Sequence, residues 1–154
     1  MLVKPIIIVG KMGSGKTSVA DYLCKVYSTN KLKYEKVVTY TTRERRYCEP
    51  LNAYHFVSND EFVKKIQNGD FIEYVTHQNS NGDIVHYGST YEDYEAYVSP
   101  DDITHIKVVI VDPEGFKTLL NKIGSKNMTV VMLSVHEPVL LARLKERGCH
   151  LLGH

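Results

Sequence analysis

The sequence predicts an α/β fold, a sandwich in which helices cover both faces of a parallel sheet. Three apolar runs, Ile6–Val9, 107–111 and 129–135, have the composition of strands buried on both faces. Segments with helical patterns separate these runs, and such alternation is typical of right-handed crossover connections. A glycine-rich segment between the first strand and the first helix completes a phosphate-binding pattern.

That pattern is G-x-x-x-x-G-K-[ST]. Its eight residues are Gly10, Lys11, Met12, Gly13, Ser14, Gly15, Lys16 and Thr17. Glycines free the backbone, so that successive N–H groups can point inward and cradle an anion. The N-terminus of the following helix adds positive potential. Lys16 is expected to reach the β- and γ-phosphates of a nucleotide, and the Thr17 hydroxyl is expected to bind Mg²⁺.

Four helices are predicted around the sheet. Their predicted ranges are 16–27, 91–97, 113–122 and 138–147. Pro113 at the start of the third helix and Gly124 after its end are ordinary boundary signals. Gly148 is expected to end the fourth helix.

The middle of the chain has a different pattern. Ser58 and Glu61 form the signature of a capping box, which predicts a short helix over 60–67. Two strands follow, 71–77 and 84–87, with the turn residues 79–83 between them. The chain is therefore expected to be a single domain, with core residues 1–33 and 89–154 and a small α+β insertion over about 34–88.

The composition of the chain bears on whether it binds nucleic acid or membranes. The 154 residues carry a formal net charge of +1 without a basic block, so charge gives no indication of nucleic acid binding. The longest apolar run is too short to span a bilayer, and the N-terminal segment leads directly into the phosphate loop rather than resembling a signal peptide. Three widely spaced cysteines are typical of free thiols in a reducing cytoplasm. No nucleic acid, no membrane and a monomer or dimer are expected.

A second cluster of polar residues follows the first helix. Residues 39–46 contain three Thr, one Tyr and three Arg. Guanidinium groups bind phosphate oxygens through paired hydrogen bonds, although a solvated loop explains such a cluster equally well. Further along, the carboxylate of Glu73 could accept both N–H groups on the edge of guanine, whereas adenine has no such pair of donors.

Five motifs together resemble the guanylate kinase family. They occur in the family's order over nearly the whole chain: the phosphate loop, Thr41-Thr42-Arg43-x-x-Arg46, Tyr54-x-Phe56-Val57, residues 68–73 and Tyr87-Gly88-Ser89. The resemblance implies a three-layer P-loop NTPase fold with a core, a GMP-binding subdomain and a mobile lid. It also implies transfer of the ATP γ-phosphoryl group to GMP or dGMP, with Mg²⁺ as cofactor.

The resemblance also implies roles for individual residues. Those matching family positions around GMP are Thr39, Arg43, Arg46, Tyr54, Glu73, Tyr87, Ser89 and Asp112. Arg143 matches a lid position at ATP, and Arg147 matches an arginine that reaches the ATP phosphates. Lys16, Arg43 and Arg147 are the residues expected to act in catalysis.

Several departures from the family limit these expectations. Ile110 stands where the family has an Asp, and the stretch between Glu73 and Tyr87 is longer than usual. The predicted lid begins at Arg143 and Arg147, and the sequence stops soon afterwards, so the lid is expected to be truncated after about residue 148 and turnover to be slow. Two alternatives remain: a non-catalytic binding module of the same family, and a kinase of the same fold acting on another phosphorylated acceptor.

Overall fold

The computed structural model describes the backbone of residues 3–151 and the side chains of residues 3–146. The strands are β1 Ile6–Val9, β2 Leu32–Lys36, β3 Tyr40–Thr41, β4 His55–Phe56, β5 Phe71–Gln78, β6 Ile84–Thr90, β7 Tyr97–Val98, β8 Thr104–Val111 and β9 Thr129–Met132. The helices are α1 Lys16–Val26, α2 Asn59–Gln67, α3 Pro113–Ile123 and α4 Glu137–Leu151. Two short 3₁₀ turns cover Tyr91–Tyr94 and Ser125–Asn127.

The larger of two sheets is the predicted parallel core. Its strands lie in the order β2-β8-β1-β9, and β7 adds an antiparallel pair at the beginning of β8. Ile7 and Ile8 point to opposite faces of β1, and both are fully buried. Strands covered on both faces have near-continuous apolar sequences, as β1 and the end of β8 do. The α/β class is therefore confirmed.

The smaller sheet belongs to the middle of the chain. It has the order β4-β3-β6-β5, and β5 and β6 form the predicted hairpin around residues 79–83. Ser58 caps α2 through the predicted capping box with Glu61. β2 pairs with β8, so residues 34–36, which the sequence analysis assigned to the insertion, lie in the core sheet.

Several predicted elements have other boundaries. β8 begins at Thr104 rather than at residue 107, and β6 runs to Thr90 rather than to residue 87. The predicted helix over 91–97 is wrong: Thr90 and Asp93 cap only a 3₁₀ turn, after which Glu95 is extended and Tyr97 pairs with His105. β9 ends at Met132 rather than at residue 135. α4 runs to Leu151, beyond the glycine that was expected to end it. An isolated glycine inside a helix costs only about 1 kcal/mol, so it does not by itself end one.

Residues 3–151 contain no helix that is both long and apolar enough to cross a membrane.

Phe62 joins α2 to the smaller sheet. It is fully buried, and its ring centroid lies 4.5 Å from that of Phe71 and 5.1 Å from that of His86. A Cβ on Gly88 would lie 3.1 Å from the Phe62 ring, so the glycine of the Tyr-Gly-Ser motif makes room for this packing. Removal of the ring would leave a cavity beneath the sheet.

We therefore expect Phe62→Ala to lower the free energy of unfolding by about 3–5 kcal/mol. Urea unfolding followed by circular dichroism measures this change. Val63→Ala is the matched control, because Val63 lies on the same helix and is 37% exposed. Equal unfolding midpoints for the two variants would show that Phe62 is not a core residue of this sheet.

Candidate functional site

The phosphate loop lies between the end of β1 and the start of α1. Gly13 and Gly15 have φ angles of 81° and 90°, a left-handed region that residues with a Cβ rarely adopt. Lys16 bends back over the loop, and its Nζ donates hydrogen bonds to the carbonyl oxygens of Gly10 at 2.7 Å and Lys11 at 2.9 Å. The ammonium group is thereby held at the mouth of the loop.

Arg143 brings a second cation to this loop from α4. Its Nη1 donates to the carbonyl oxygen of Gly13 at 3.1 Å. This contact brings a guanidinium group of the predicted lid segment against the predicted phosphate site. Arg147 lies on the same helix, and its side chain is outside the described residues.

Thr17 is the residue of the loop predicted to bind a metal ion. It is exposed in the first turn of α1, and its hydroxyl makes no hydrogen bond among the described residues. The described part of the chain contains no group of three or more His, Cys, Asp or Glu side chains that could hold a metal. Mg²⁺ in kinases is commonly held by one or two protein oxygens, substrate phosphates and water, and Thr17 suits that arrangement.

A cleft of about 510 Å³ lies beside the loop, between the two sheets. The predicted residues that line it are Lys11, Met12, Lys16, Thr39, Arg43, Arg46, Tyr54, Glu73, Tyr87 and Asp112. The other predicted residues lie next to it: Gly10, Gly13, Ser14, Gly15, Thr17 and Arg143 in or against the loop, and Ser89 behind Glu73. The fold therefore brings both predicted clusters to one cleft.

The Arg43 guanidinium lines the cleft and donates hydrogen bonds from all three of its nitrogens. Its Nη2 and Nη1 donate to the two carboxylate oxygens of Glu49 at 2.7 and 3.0 Å, and its Nε donates to the Tyr87 hydroxyl at 3.2 Å. The guanidinium carbon lies 5.3 Å from the centre of the Tyr54 ring. Burial acts against ionisation of Glu49, but the hydrogen bonds from Arg43 and from the Arg46 backbone outweigh it and lower the Glu49 pKa.

Glu73 is a buried carboxylate that lines the same cleft. It is 5% exposed, and its Oε1 accepts a hydrogen bond from the Ser89 hydroxyl at 2.7 Å. Burial raises its pKa to about 7, and the neighbouring Asp112 adds to the rise, whereas Ser89 and Lys122 oppose it. Near neutral pH this group is therefore poised between an acceptor-only carboxylate and a neutral acid.

Asp112 lies between this carboxylate and the phosphate loop. As the N-cap of α3 it accepts a hydrogen bond from the Gly115 amide at 2.7 Å. A Cβ on Gly115 would lie 3.1 Å from Glu73 Oε2, so the glycine lets the first turn of α3 approach Glu73 closely. His77 Nε2 lies 3.3 Å from the other Asp112 oxygen.

Eight residues that line the cleft were not predicted as site residues: Glu49, Val75, His77, Gly88, Ile110, Val111, Pro113 and Gly115. Of these, Val75 and His77 follow Glu73 at even spacing on β5, and alternate residues of a strand face the same side. That periodicity was available as a signal. Gly115 could not be predicted from the sequence. Its lack of a side chain matters only because α3 packs closely against β5 in the folded protein.

Comparison of the sequence with known proteins identifies similar families and relatives. The family model described as guanylate kinase matches residues 2–150. A guanylate kinase from Chlamydia felis is 29% identical over 137 residues, which cover 88% of this chain and 61% of that protein. One from Mesomycoplasma hyopneumoniae is 29% identical over 147 residues, covering 94% and 68% respectively. The chain thus spans about three fifths of the length of the chlamydial relative.

A solved structure has a similar fold. The crystal structure of guanylate kinase from Anaplasma phagocytophilum superimposes with a TM-score of 0.61 at 18% identity. The match covers 99% of this chain and 73% of that one. At this identity the likeness concerns the fold, and it confirms the predicted P-loop α/β architecture.

The Glu49–Arg43 ion pair is expected to make the free energy of unfolding depend on pH. Because the Glu49 pKa is lowered in the folded state, the pair stabilises the fold above the carboxyl's ordinary pKa and loses that effect as pH falls through the folded value. We expect Glu49→Gln to lower the free energy of unfolding by about 1–3 kcal/mol at pH 7, with a smaller difference in acid. Denaturant unfolding at several pH values measures this.

The matched control is Glu44→Gln, in the same loop but exposed. It should change stability by less than about 0.5 kcal/mol at every pH. A Glu49→Gln deficit that persists unchanged in acid would contradict the ion-pair interpretation.

Proposed function

The chain belongs to the guanylate kinase family, and from this premise we propose that it transfers the γ-phosphoryl group of ATP to the phosphate of GMP or dGMP. The observation that carries the proposal is the cleft itself. Lys16 of the phosphate loop lines one wall, and the buried Glu73 lines the other together with Arg43 and Arg46. One wall suits a nucleoside triphosphate, and the other suits a guanine nucleotide.

The proposed reaction needs no covalent intermediate on the protein. The acceptor phosphate is already an anion, so it attacks the γ-phosphorus directly and requires no general base. The protein aligns donor and acceptor and neutralises the charge on the transferring group. Lys16 and Arg143 are suited to the donor side, and Arg46 faces the acceptor side.

Mg²⁺ is the proposed cofactor, with Thr17 as its protein ligand. When bound with ATP, the ion neutralises charge on the β- and γ-phosphates. The exposed Thr17 hydroxyl at the start of α1 supports this assignment. We also propose a cytoplasmic location, since the described cysteines Cys24 and Cys48 are free thiols.

Acceptor choice tests the proposal. The ionised Glu73 carboxylate accepts two N–H groups from guanine, whereas adenine, cytosine and uracil present other patterns. ADP release from ATP should therefore be fastest with GMP or dGMP among the nucleoside monophosphates. Equal rates with AMP, CMP and UMP, or a rate only with a sugar phosphate, would reject guanine as the recognised base.

Glu73→Gln is expected to reduce the preference for GMP over AMP. The amide replaces one acceptor by a donor that faces a guanine N–H, at a cost of about 1–3 kcal/mol, or about 5- to 150-fold in affinity. With the pKa of Glu73 near 7, wild-type affinity for GMP should rise as pH increases through that value and the carboxyl ionises. Calorimetric titration of GMP across this range measures both effects.

The GMP phosphate also titrates with a pKa of about 6, as phosphate monoesters do. Its contribution persists in Glu73→Gln, so the difference between the two pH profiles isolates Glu73. Parallel profiles would show that the carboxyl does not titrate in the binding equilibrium.

The two walls should respond separately to mutation. Lys16→Ala is expected to abolish phosphoryl transfer and to leave GMP binding nearly unchanged. Arg46→Ala is expected to weaken GMP by about 1.5–3 kcal/mol while leaving guanosine unaffected, because the lost contact is a charge-assisted bond to phosphate. Turnover and separate titrations with GMP and guanosine measure these effects.

Arg45→Ala is the matched control for Arg46→Ala. Arg45 is exposed, and its Nη1 donates to the Glu49 carbonyl oxygen at 2.6 Å rather than lining the cleft. It should leave GMP affinity within about twofold. Wild-type turnover in Lys16→Ala, or equal losses for GMP and guanosine in Arg46→Ala, would contradict the division into two walls.

A further inference from the structure

A buried chain of three side chains leads away from the cleft. Ser89 is fully buried, and its hydroxyl donates to Glu73 Oε1 at 2.7 Å and lies 2.8 Å from the Tyr94 hydroxyl. A serine hydroxyl has a single proton. When Glu73 is ionised, Ser89 gives that proton to the carboxylate, and the Tyr94 hydroxyl is then the donor in the second hydrogen bond. The chain therefore runs from Tyr94 through Ser89 to Glu73.

Tyr94 is held in place independently of the cleft. It ends the 3₁₀ turn that follows β6, and Asp93 caps this turn by accepting from the backbone N–H and the hydroxyl of Thr90 at 2.7 and 2.8 Å. Its side chain is only 6% exposed and packs in the core cluster with Ile72 and Val109. The core thus places the hydroxyl oxygen within hydrogen-bonding distance of Ser89, independently of the cleft.

The direction of this chain matters because Glu73 has two protonation states. Donors to a carboxylate favour its ionised form, and each link in a hydrogen-bonded chain polarises the next. The charged groups near Glu73 are Asp112 at the start of α3, which opposes ionisation, and Lys122 at the end of α3, which favours it. His77 lies on the far side of Asp112. Tyr94 and Ser89 supply the hydrogen-bond donation from the core side.

We propose that Tyr94 is a positioning residue for nucleobase recognition, which fixes the Ser89 hydroxyl as a donor to Glu73 and so maintains Glu73 as a two-oxygen acceptor facing the cleft. The inference rests on the proposed function, because it assigns the base contact to Glu73. It adds a residue that does not line the cleft. A buried tyrosine that only fills core volume would need its ring but not this direction of hydrogen bonding.

Tyr94→Phe separates these two roles, since it keeps the ring and removes the hydroxyl. GMP and AMP affinities are measured by calorimetry from about pH 5.5 to about pH 9 for the wild type and the variant. We expect GMP to bind about 2- to 10-fold more weakly to the variant near pH 7, the effect of one hydrogen bond. The deficit should vanish near pH 9, where Glu73 is ionised in both proteins, and AMP affinity should not change.

Tyr91→Phe is the matched control. Tyr91 lies on the same 3₁₀ turn, is 50% exposed, and its hydroxyl makes no hydrogen bond among the described residues. Its pH profile should coincide with that of the wild type. A second readout, the ¹³C carboxyl shift of Glu73 in the free protein, should show a titration midpoint that is higher in Tyr94→Phe than in the other two proteins.

The outcomes are distinct. If wild-type protein binds GMP and Tyr94→Phe has the same pH profile and carboxyl midpoint, the positioning role is overturned and the proposed function stands. A loss that is equal at every pH and equal for GMP and AMP would mean a structural role only, which also overturns the inference. Failure of the wild type to bind GMP would overturn the proposed function and the base-positioning role with it.

Discussion

The register between β1 and β8 determines where the chemistry of this protein can lie. Val9 pairs with Val111, so the two neighbouring strands leave the parallel sheet at the same level. The Gly10 amide still reaches the Val111 carbonyl oxygen at 3.4 Å. The phosphate loop and Asp112 therefore emerge side by side, which is where ligands bind in open parallel sheets. A shift of one residue in this register would displace the phosphate loop from Asp112 by about 3.3 Å along the strands.

The smaller sheet comes close to this edge of the parallel sheet where β5 packs against α3. β5 packs against the first turn of α3, where Gly115 leaves space for the Glu73 carboxylate. Burial of that carboxylate is unfavourable unless it is hydrogen-bonded, and Ser89 and Tyr94 supply the bonds from the core. Glu73 thus links the smaller sheet to the first turn of α3, and its burial there raises its pKa to about 7.

Features encoded locally could be predicted from the sequence. The phosphate loop, the capping box at Ser58 and the turn at 79–83 depend on residues close together in the chain, and all three are as predicted. β3 and β4 were missed because two-residue strands carry no periodicity. β2 reads Leu-Lys-Tyr-Glu-Lys, and its mixed polarity reflects a sheet edge, where burial is incomplete. The Tyr94–Ser89–Glu73 chain joins three elements, namely β5, β6 and the 3₁₀ turn after β6, and no spacing in the sequence reveals it.

The two predicted phosphate arginines are not equivalent in the structure. Arg43 has five N–H donors. Four of them are donated, two to the Glu49 carboxylate, one to the Glu44 carbonyl oxygen and one to the Tyr87 hydroxyl. Its charge is also balanced by the Glu49 carboxylate. Most N–H donors of Arg43 are therefore already hydrogen-bonded to the loop that carries Arg46.

Arg46 lines the same cleft, and its guanidinium makes no hydrogen bond or ion pair among the described residues. The Glu49 carboxylate accepts from the Arg46 backbone N–H at 3.1 Å, so the ion pair of Arg43 fixes the backbone from which Arg46 extends. The N–H donors of Arg46 would then be available to a phosphate group on a loop that is already ordered. Binding would lose less conformational entropy than it would with a mobile loop. Under the proposed function, Arg43 would therefore act chiefly by holding the loop, and Arg46 would provide the direct electrostatic contact to phosphate.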